Sequence, residues 1–367
     1  MLSRLAKEYL PCPVKFARSI IASSDMRRTI TKLFVFVVLL LVLDRLVYAG
    51  AVFLRDHGAH PTEIDLIYDD GGWNPPIVFF GDSRTKHNFD MQEVEKLTDL
   101  AAYDFGRNNA SAEQSLFMLE EYLLHNHRPS VVVFEADPQF LDKGYGQFHK
   151  EEFGDRIAVV PDLSELLRQP RPTLQQRARA FAVTWLVKSA SLANRLPDLW
   201  RRWRMRGAAG ASEVKFYSCG VPEKPLLCRY YNGANNFVIG NGENMTRSPR
   251  PFNIDAERIA LFEHIVSLAE QNDFRLMLLE TPRLQGDQAY PVEQKQRAEA
   301  FYCGLARAHR SVLYARLTHL DGIDRDPALY WDWEHFNGVG ATKMSQLAAP
   351  LIAALANRQR PEACLLQ

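Results

Sequence analysis

The chain has 367 residues, enough for one large domain or two small ones, and 47% of them are hydrophobic, as in ordinary globular proteins. Its 44 basic side chains balance 44 acidic ones, so it lacks the basic footprint of a nucleic-acid-binding protein. The five cysteines are too few for a disulfide scaffold, and no metal-ligand spacing occurs. No glycine-rich phosphate loop occurs either, so we expect neither a metal nor a cofactor.

An apolar stretch at residues 33–54 predicts a membrane-spanning helix, because about 20 such residues suffice to cross a bilayer. Basic residues precede the stretch, which favours a cytoplasmic location for residues 1–32 and disfavours a cleaved signal peptide. Asp44 and Arg45 interrupt the stretch. This pair either neutralises itself, meets a partner helix or marks the end of a shorter segment. We expect a single-pass anchor, with everything after it outside the cytoplasm.

Five short apolar runs downstream predict buried strands, separated by segments with helical periodicity. The runs lie at residues 77–80, 101–105, 131–134, 274–279 and 311–314. Asp90, Ser111 and Asp255 are typical N-terminal caps of the intervening helices. Strands that alternate with helices pair in parallel and carry helices on both faces. The predicted fold class is therefore α/β, with a doubly wound parallel sheet.

The alternation is interrupted at residues 139–252, which predicts a helical insertion. Its segment at 174–206 is rich in Arg and Trp, which is typical of a helix on a membrane surface or partner, or of a solvated helix on its own domain. Cys219 and Cys228 are either a local disulfide or two unrelated thiols. The remaining predicted segments are a linker at 55–75, the α/β domain at 76–357 and a C-terminal tail at 358–367.

Ser83 lies where a parallel sheet collects its reactive groups, three residues after the first predicted strand. A serine hydroxyl needs a base to accept its proton, and His335 precedes the last predicted helix. Asp332, three residues upstream of it, is close enough to hold the imidazole in one tautomer. These residues predict a nucleophile, its base and an orienting acid. In the alternative interpretation, Ser83 is a turn residue and Asp332 a surface cap.

The two motifs resemble the first and last blocks of the GDSL/SGNH hydrolase superfamily. Gly-Asp-Ser-Arg at residues 81–84 is similar to the first block, and Asp-x-x-His at residues 332–335 is similar to the last. The resemblance implies an SGNH-like sheet of the flavodoxin-like kind. It also implies that Ser83, Asp332 and His335 are the catalytic residues.

The resemblance further implies an oxyanion hole. Its expected donors are the N–H of Ser83, Gly106 at the position of the second-block glycine, and Asn108. The third block departs from the family's Gly-x-Asn-Asp, because residues 135–138 are Glu-Ala-Asp-Pro. Either Asn108 or Asn109 substitutes for the missing asparagine, or the hole is incomplete.

Three other polar side chains near these motifs are candidates for substrate binding: Arg84, Asn109 and Asn337. Arg84 either neutralises a substrate carboxylate or pairs with a neighbouring acid. The histidines outside the last block, His87 among them, are expected at the surface or at an interface.

A membrane anchor joined to such a domain with an altered third block is similar to proteins of bacterial exopolysaccharide O-acetylation, of the alginate acetylation and D-alanyl-transfer types. This resemblance implies an inner-membrane protein with its catalytic domain in the periplasm or outside the cell. It also implies a polysaccharide acceptor and an integral-membrane exporter of the acyl donor. The same residues facing water would make an esterase. A tethered binding or assembly protein with a degenerate site is the alternative from another class.

Overall fold

A computed structural model describes the chain over residues 24–56, 63–68, 74–149, 200, 216–218, 227–229, 251–284, 290–330 and 332–366. The chain divides into two compact units, residues 1–59 with 150–207 and residues 60–149 with 208–367. Most of the predicted insertion lies outside the described residues, including its helical segment. The predicted disulfide between Cys219 and Cys228 also falls outside them, because Cys219 is not described.

The first unit contributes one long apolar helix, α1 (Ser24–Asp56). Its segment Met26–Leu54 has 29 residues and a mean hydropathy of 2.3, and its apolar side chains are mostly exposed. At about 1.5 Å per residue, such a helix is longer than the roughly 30 Å of a bilayer's hydrocarbon core. Arg45 forms an ion pair with Asp44 at 2.9 Å and the helix continues past both, so the pair does not end it. The predicted apolar helix is confirmed, and it fits a membrane anchor or a signal sequence.

The second unit is built on a six-stranded parallel sheet with the order β2-β1-β3-β6-β7-β8. Its strands are β1 (Ile77–Phe80), β2 (Ala102–Asp104), β3 (Val131–Glu135), β6 (Arg275–Glu280), β7 (Val312–Arg316) and β8 (Cys364–Leu366). A separate antiparallel pair consists of β4 (Phe216–Ser218) and β5 (Leu227–Arg229). The first five sheet positions follow the flavodoxin-like order. The predicted SGNH-like, doubly wound α/β fold class is therefore confirmed.

Seven helices among the described residues of this unit connect or cover the strands. They are α2 (Glu63–Ile67), α3 (Ser83–Asn88), α4 (Met91–Thr98), α5 (Ala112–His125), α6 (Ala256–Gln271), α7 (Val292–Ala308) and α8 (Gly338–Ala356). The three predicted caps are confirmed, because the side chains of Asp90, Ser111 and Asp255 each accept a backbone hydrogen bond in the first turn.

Successive strand residues point to opposite faces, so each strand supplies side chains to two apolar layers. On one face, Phe79 of β1 is buried in a cluster with Val94 of α4 and Met344 of α8. On the other face, the ring of Phe80 meets that of Tyr122 of α5, with 6.2 Å between centroids. Helices cover both faces, and the carboxyl ends of the strands remain for polar groups.

Two short elements lie within the segments predicted as a linker and a C-terminal tail. The linker at 55–75 includes α2, whose Ile67 is fully buried and accepts a 2.6 Å hydrogen bond from Asn126 Nδ2. The C-terminal tail includes β8, which extends the sheet beside β7 and is joined to α7 by a disulfide between Cys303 and Cys364. Both elements have only three to five residues. The periodicity of apolar residues does not reveal elements this short, because their formation depends on contacts with residues distant in sequence.

Candidate active site

Ser83 is the first residue of α3 and follows a tight turn at the carboxyl end of β1. Asp82 is the N-cap, and its carboxylate accepts a backbone hydrogen bond from the first turn. Gly81 is required because a Cβ there would lie 1.9 Å from Thr85 Oγ1 and 2.6 Å from Glu135 Oε2. The glycine therefore lets the strand turn directly into the helix that carries the serine at its start.

Ser83, His335 and Asp332 are hydrogen-bonded in series. His335 Nε2 lies 2.8 Å from Ser83 Oγ, and His335 Nδ1 lies 2.7 Å from Asp332 Oδ2. Asp332 Oδ1 also accepts from the backbone N–H groups of Glu334 and His335, at 2.9 and 2.8 Å. Because the carboxylate accepts from Nδ1, the imidazole presents Nε2 to the serine hydroxyl. This is the tautomer that a general base needs.

Asp332 has the charge that this arrangement requires. Burial raises its pKa, but the hydrogen bond and charge of His335 and two backbone N–H donors outweigh burial and hold the pKa below its usual value. An ionised carboxylate favours the charged form of the imidazole beside it. The side chain of His335 is 13% exposed, that of Asp332 is 37% exposed and Ser83 is half-buried. All three residues are therefore partly accessible to solvent.

Asn88, the last residue of α3, ties the serine helix to the histidine loop. Its Oδ1 accepts from the N–H of Phe336 at 2.9 Å. Its Nδ2 lies 3.4 Å from both the carbonyl of Glu334 and Thr281 Oγ1. Asn88 is fully buried. The sequence motifs do not include it, and only the packing of α3 against the loop identifies it.

Two arginines and three carboxyl groups form a buried charge network next to the Ser83 turn. Arg84 pairs with Glu135 and, at 2.5 Å, with Asp137. Arg283 lies 2.9 Å from Asp137, and Asp82 lies 3.8 Å from Arg84 Nε. Arg84 is 0% exposed. Of its two predicted roles, pairing with neighbouring acids is the one that the structure shows.

The environments of the carboxyl groups in this network differ. Burial raises the pKa of Glu135 well above its usual value, and the nearby charges of Asp82 and Asp137 add to the effect against the opposing charge of Arg84. Burial would also raise the pKa of Asp137, but two guanidiniums and a backbone hydrogen bond lower it. Burial therefore disfavours the charged form of Glu135, whereas the two arginines favour that of Asp137. Among the described residues, no group of three or more His, Cys, Asp or Glu is arranged to hold a metal ion.

Two predicted site residues have other partners. The N–H of Gly106 donates to Asp104 Oδ1 at 2.6 Å, so it is not directed at an oxyanion. The side chain of Asn337 caps α8, where its Oδ1 accepts from the N–H of Gly340 at 3.1 Å. Its Nδ2 donates to the carbonyl of Ala328 at 2.6 Å. Both polar groups of its side chain therefore have partners at the helix start.

Asn108 and Asn109 are exposed in the turn that follows β2. Asn109 adopts a left-handed backbone conformation, with φ of 57°. Asn108 Oδ1 lies 3.0 Å from Nε2 of His87, which was expected at the surface or at an interface and is buried. The ring of His87 is edge-on to that of His335, with centroids 5.4 Å apart. Burial, followed by the proximity of His335, lowers the pKa of His87 to about 4.

No protein-family model and no curated protein matches this chain. A solved structure from Streptococcus pneumoniae, provisionally named a platelet activating factor, is 12% identical, with a TM-score of 0.39 over 90% of this chain and 100% of that one. A provisionally named acylhydrolase from Bacteroides fragilis is also 12% identical, with a TM-score of 0.36 over 76% of this chain and 87% of that one. At these values, neither structure bears on the function.

Proposed function

We propose that the chain is an extracytoplasmic serine-dependent acyltransferase in which Ser83 forms an acyl-enzyme. The observation that carries the proposal is the hydrogen-bonded series of Ser83, His335 and Asp332. Ser83 Oγ attacks the acyl carbonyl while His335 Nε2 takes its proton, and Asp332 stabilises the imidazolium. The tetrahedral intermediate collapses, the acyl–oxygen bond of the donor breaks and the leaving group takes the proton from His335. An acceptor hydroxyl then attacks the acyl-enzyme while His335 Nε2 takes its proton. The bond between the acyl carbon and Ser83 Oγ breaks, and His335 gives that proton to Ser83 Oγ.

The acceptor that we propose is a hydroxyl of a cell-surface or secreted polysaccharide. Support comes from the layout of the chain, because a membrane anchor joined to such a domain with an altered third block is similar to proteins of bacterial exopolysaccharide O-acetylation. The exposed apolar helix α1 supports attachment to the inner membrane. The disulfide between Cys303 and Cys364 is typical of the oxidising environment beyond that membrane. In this proposal, an integral-membrane partner exports the acyl donor to the domain.

Hydrolysis is the second candidate, and the exposure of the site favours it. The side chains of His335 and Asp332 are partly exposed and Ser83 is half-buried, so water reaches the bond that an acyl-enzyme would present. The same residues would then remove acyl groups as an esterase. Transfer requires that an acceptor bind and displace this water.

The test uses the full-length chain in detergent with p-nitrophenyl acetate, with and without an oligosaccharide acceptor. A transferase is expected to produce acetylated oligosaccharide by mass spectrometry, at a rate that depends on the acceptor. An esterase releases acetate at the same rate with or without it. If there is no turnover and a fluorophosphonate does not label Ser83, the chain is not a serine-dependent enzyme. The remaining hypothesis is then a tethered binding or assembly protein.

A further inference from the structure

An acyl-enzyme at Ser83 needs hydrogen-bond donors for the oxyanion that forms on the acyl carbonyl. The N–H of Ser83 lies in the first turn of α3, where backbone N–H groups have no partner within the helix. The N–H of Gly106 is bonded to a carboxylate. In the third block, where the SGNH family has its asparagine, Glu135 and Asp137 pair with a buried arginine. Of the donors that the resemblance implies, Ser83 N–H and the side chain of Asn108 remain.

Among the described residues, the side-chain amide of Asn108 has one hydrogen-bond partner, His87. Its Oδ1 faces His87 Nε2 at 3.0 Å, and with this oxygen as acceptor the proton of the neutral imidazole lies on Nε2. The two atoms of an amide diverge from one carbon, so fixing Oδ1 on His87 also fixes the direction of Nδ2. The turn itself is anchored beside the serine, because the N–H of Arg107 donates to the carbonyl of Gly81 at 3.0 Å.

We infer that His87 is a positioning residue, which orients Asn108 so that its Nδ2 joins the Ser83 N–H as an oxyanion donor. This inference rests on the proposed acyl transfer. Asn108, in the turn after β2, thus takes the role of the asparagine that the third block lacks. His87, which orients it, belongs to α3. His87 itself acts through Asn108 and does not touch the acyl group.

A neutral ring suits this position because of what lies beside it. His87 meets His335 edge-on at 5.4 Å, and His335 becomes positively charged when it accepts the serine proton. A second positive charge at His87 would oppose that step. Burial and His335 lower the pKa of His87 to about 4, so near neutral pH the ring is an uncharged donor to Asn108.

The experiment compares four variants of the full-length enzyme with p-nitrophenyl acetate. Asn108→Ala is expected to lower kcat by about 100-fold, as loss of one oxyanion donor does, with KM nearly unchanged. His87→Phe keeps a packed ring but no donor, and we expect a loss of roughly 10- to 100-fold. His87→Gln restores an N–H donor and should recover most of the loss. The double variant, with His87→Phe and Asn108→Ala, should be no slower than Asn108→Ala alone. The reason is that both substitutions remove the same contact between residues 87 and 108.

A second measurement is the ³¹P resonance of the enzyme phosphonylated at Ser83, whose phosphoryl oxygen occupies the oxyanion position. We expect the same shift change in His87→Phe and Asn108→Ala, and no change in the control His127→Phe, which alters an exposed histidine. Losses in kcat that multiply in the double variant, or unchanged resonances, would overturn the inference. If His87→Phe does not fold, His87→Ala, which also lacks the donor, takes its place in both measurements.

Failure of the inference and failure of the proposed function give different results. Turnover that requires Ser83 but is indifferent to His87 and Asn108 overturns only the positioning role. Absence of any Ser83-dependent turnover in the wild-type enzyme overturns both.

Discussion

Asn88 and Phe336, 248 residues apart in the chain, are joined by a 2.9 Å hydrogen bond from the backbone N–H of Phe336 to the side chain of Asn88. Asn88 ends the helix that Ser83 begins, and Phe336 follows His335. The distance between Ser83 and His335 therefore depends on a residue whose hydrogen bonds go to neither of them. This arrangement makes Asn88 the clearest target for separating the geometry of the site from its chemistry.

We expect Asn88→Ala to reduce kcat while substrate binding changes little, because the histidine loop loses its attachment to α3. Removing a fully buried amide also leaves the N–H of Phe336 unpaired, which costs about 1–3 kcal/mol of unfolding free energy. Asn88→Asp keeps the acceptor for Phe336 and should lose less activity. Steady-state kinetics and urea unfolding measure the two effects. Unchanged kcat in a destabilised Asn88→Ala would show that the contact serves the fold alone.

Ser83→Ala and His335→Ala should each lose nearly all turnover, and the double variant should be hardly worse, because the hydrogen-bonded residues act as a unit. Asp332→Ala should retain more activity, since His335 remains but is poorly oriented. Turnover of p-nitrophenyl acetate and labelling by a fluorophosphonate are the measurements. Labelling of Ser83→Ala, or full turnover by that variant when folded, would contradict the role of Ser83.

Arg84→Met is expected to destabilise the fold by several kcal/mol, since it leaves Glu135 and Asp137 buried without that cation. Its matched control is Arg358→Met, which breaks an exposed pair with Asp273. Exposed pairs contribute little to stability, so this variant should unfold like the wild type. Guanidinium unfolding followed by circular dichroism compares them. Equal midpoints for the two variants would mean that the buried network does not stabilise the fold.

The stability of the fold should depend on pH through His87. Burial and then His335 lower its pKa to about 4 in the folded state, whereas an unfolded histidine titrates near 6.5. Between these values the unfolded chain binds more protons, so the free energy of unfolding should rise with pH, by up to about 3 kcal/mol across the window. His87→Gln removes the titrating group and should flatten this part of the profile. Identical profiles for the two proteins between pH 4 and 6.5 would contradict the shift.

Short sequence patterns predicted the central strands of the sheet and the two motifs of the candidate site. The strands that form the sheet centre are short runs of apolar and β-branched residues, and the motifs at Ser83 and His335 are contiguous. The partners of Gly106 and Asn337 include residues close in sequence, Asp104 and Gly340, and they were missed because both residues were assigned to the site from their position near the motifs. The burial of His87 follows from the docking of α3 against the histidine loop, which single-sequence periodicity does not specify.

The orientation of α1 is the last prediction. Basic residues at 27, 28 and 32 precede its most apolar part, which favours an N-terminus in the cytoplasm and a catalytic domain outside it. Alkaline phosphatase, which is active only in the periplasm, should be active when fused after about residue 60, whereas a cytoplasmic reporter fused there should not. The thiols of Cys303 and Cys364 should react with maleimide only after reduction, since a disulfide persists in an oxidising compartment. If only the cytoplasmic reporter is active and both thiols react without reduction, the orientation is the reverse of the predicted one. Ser83 would then lie in the cytoplasm, away from a cell-surface polysaccharide.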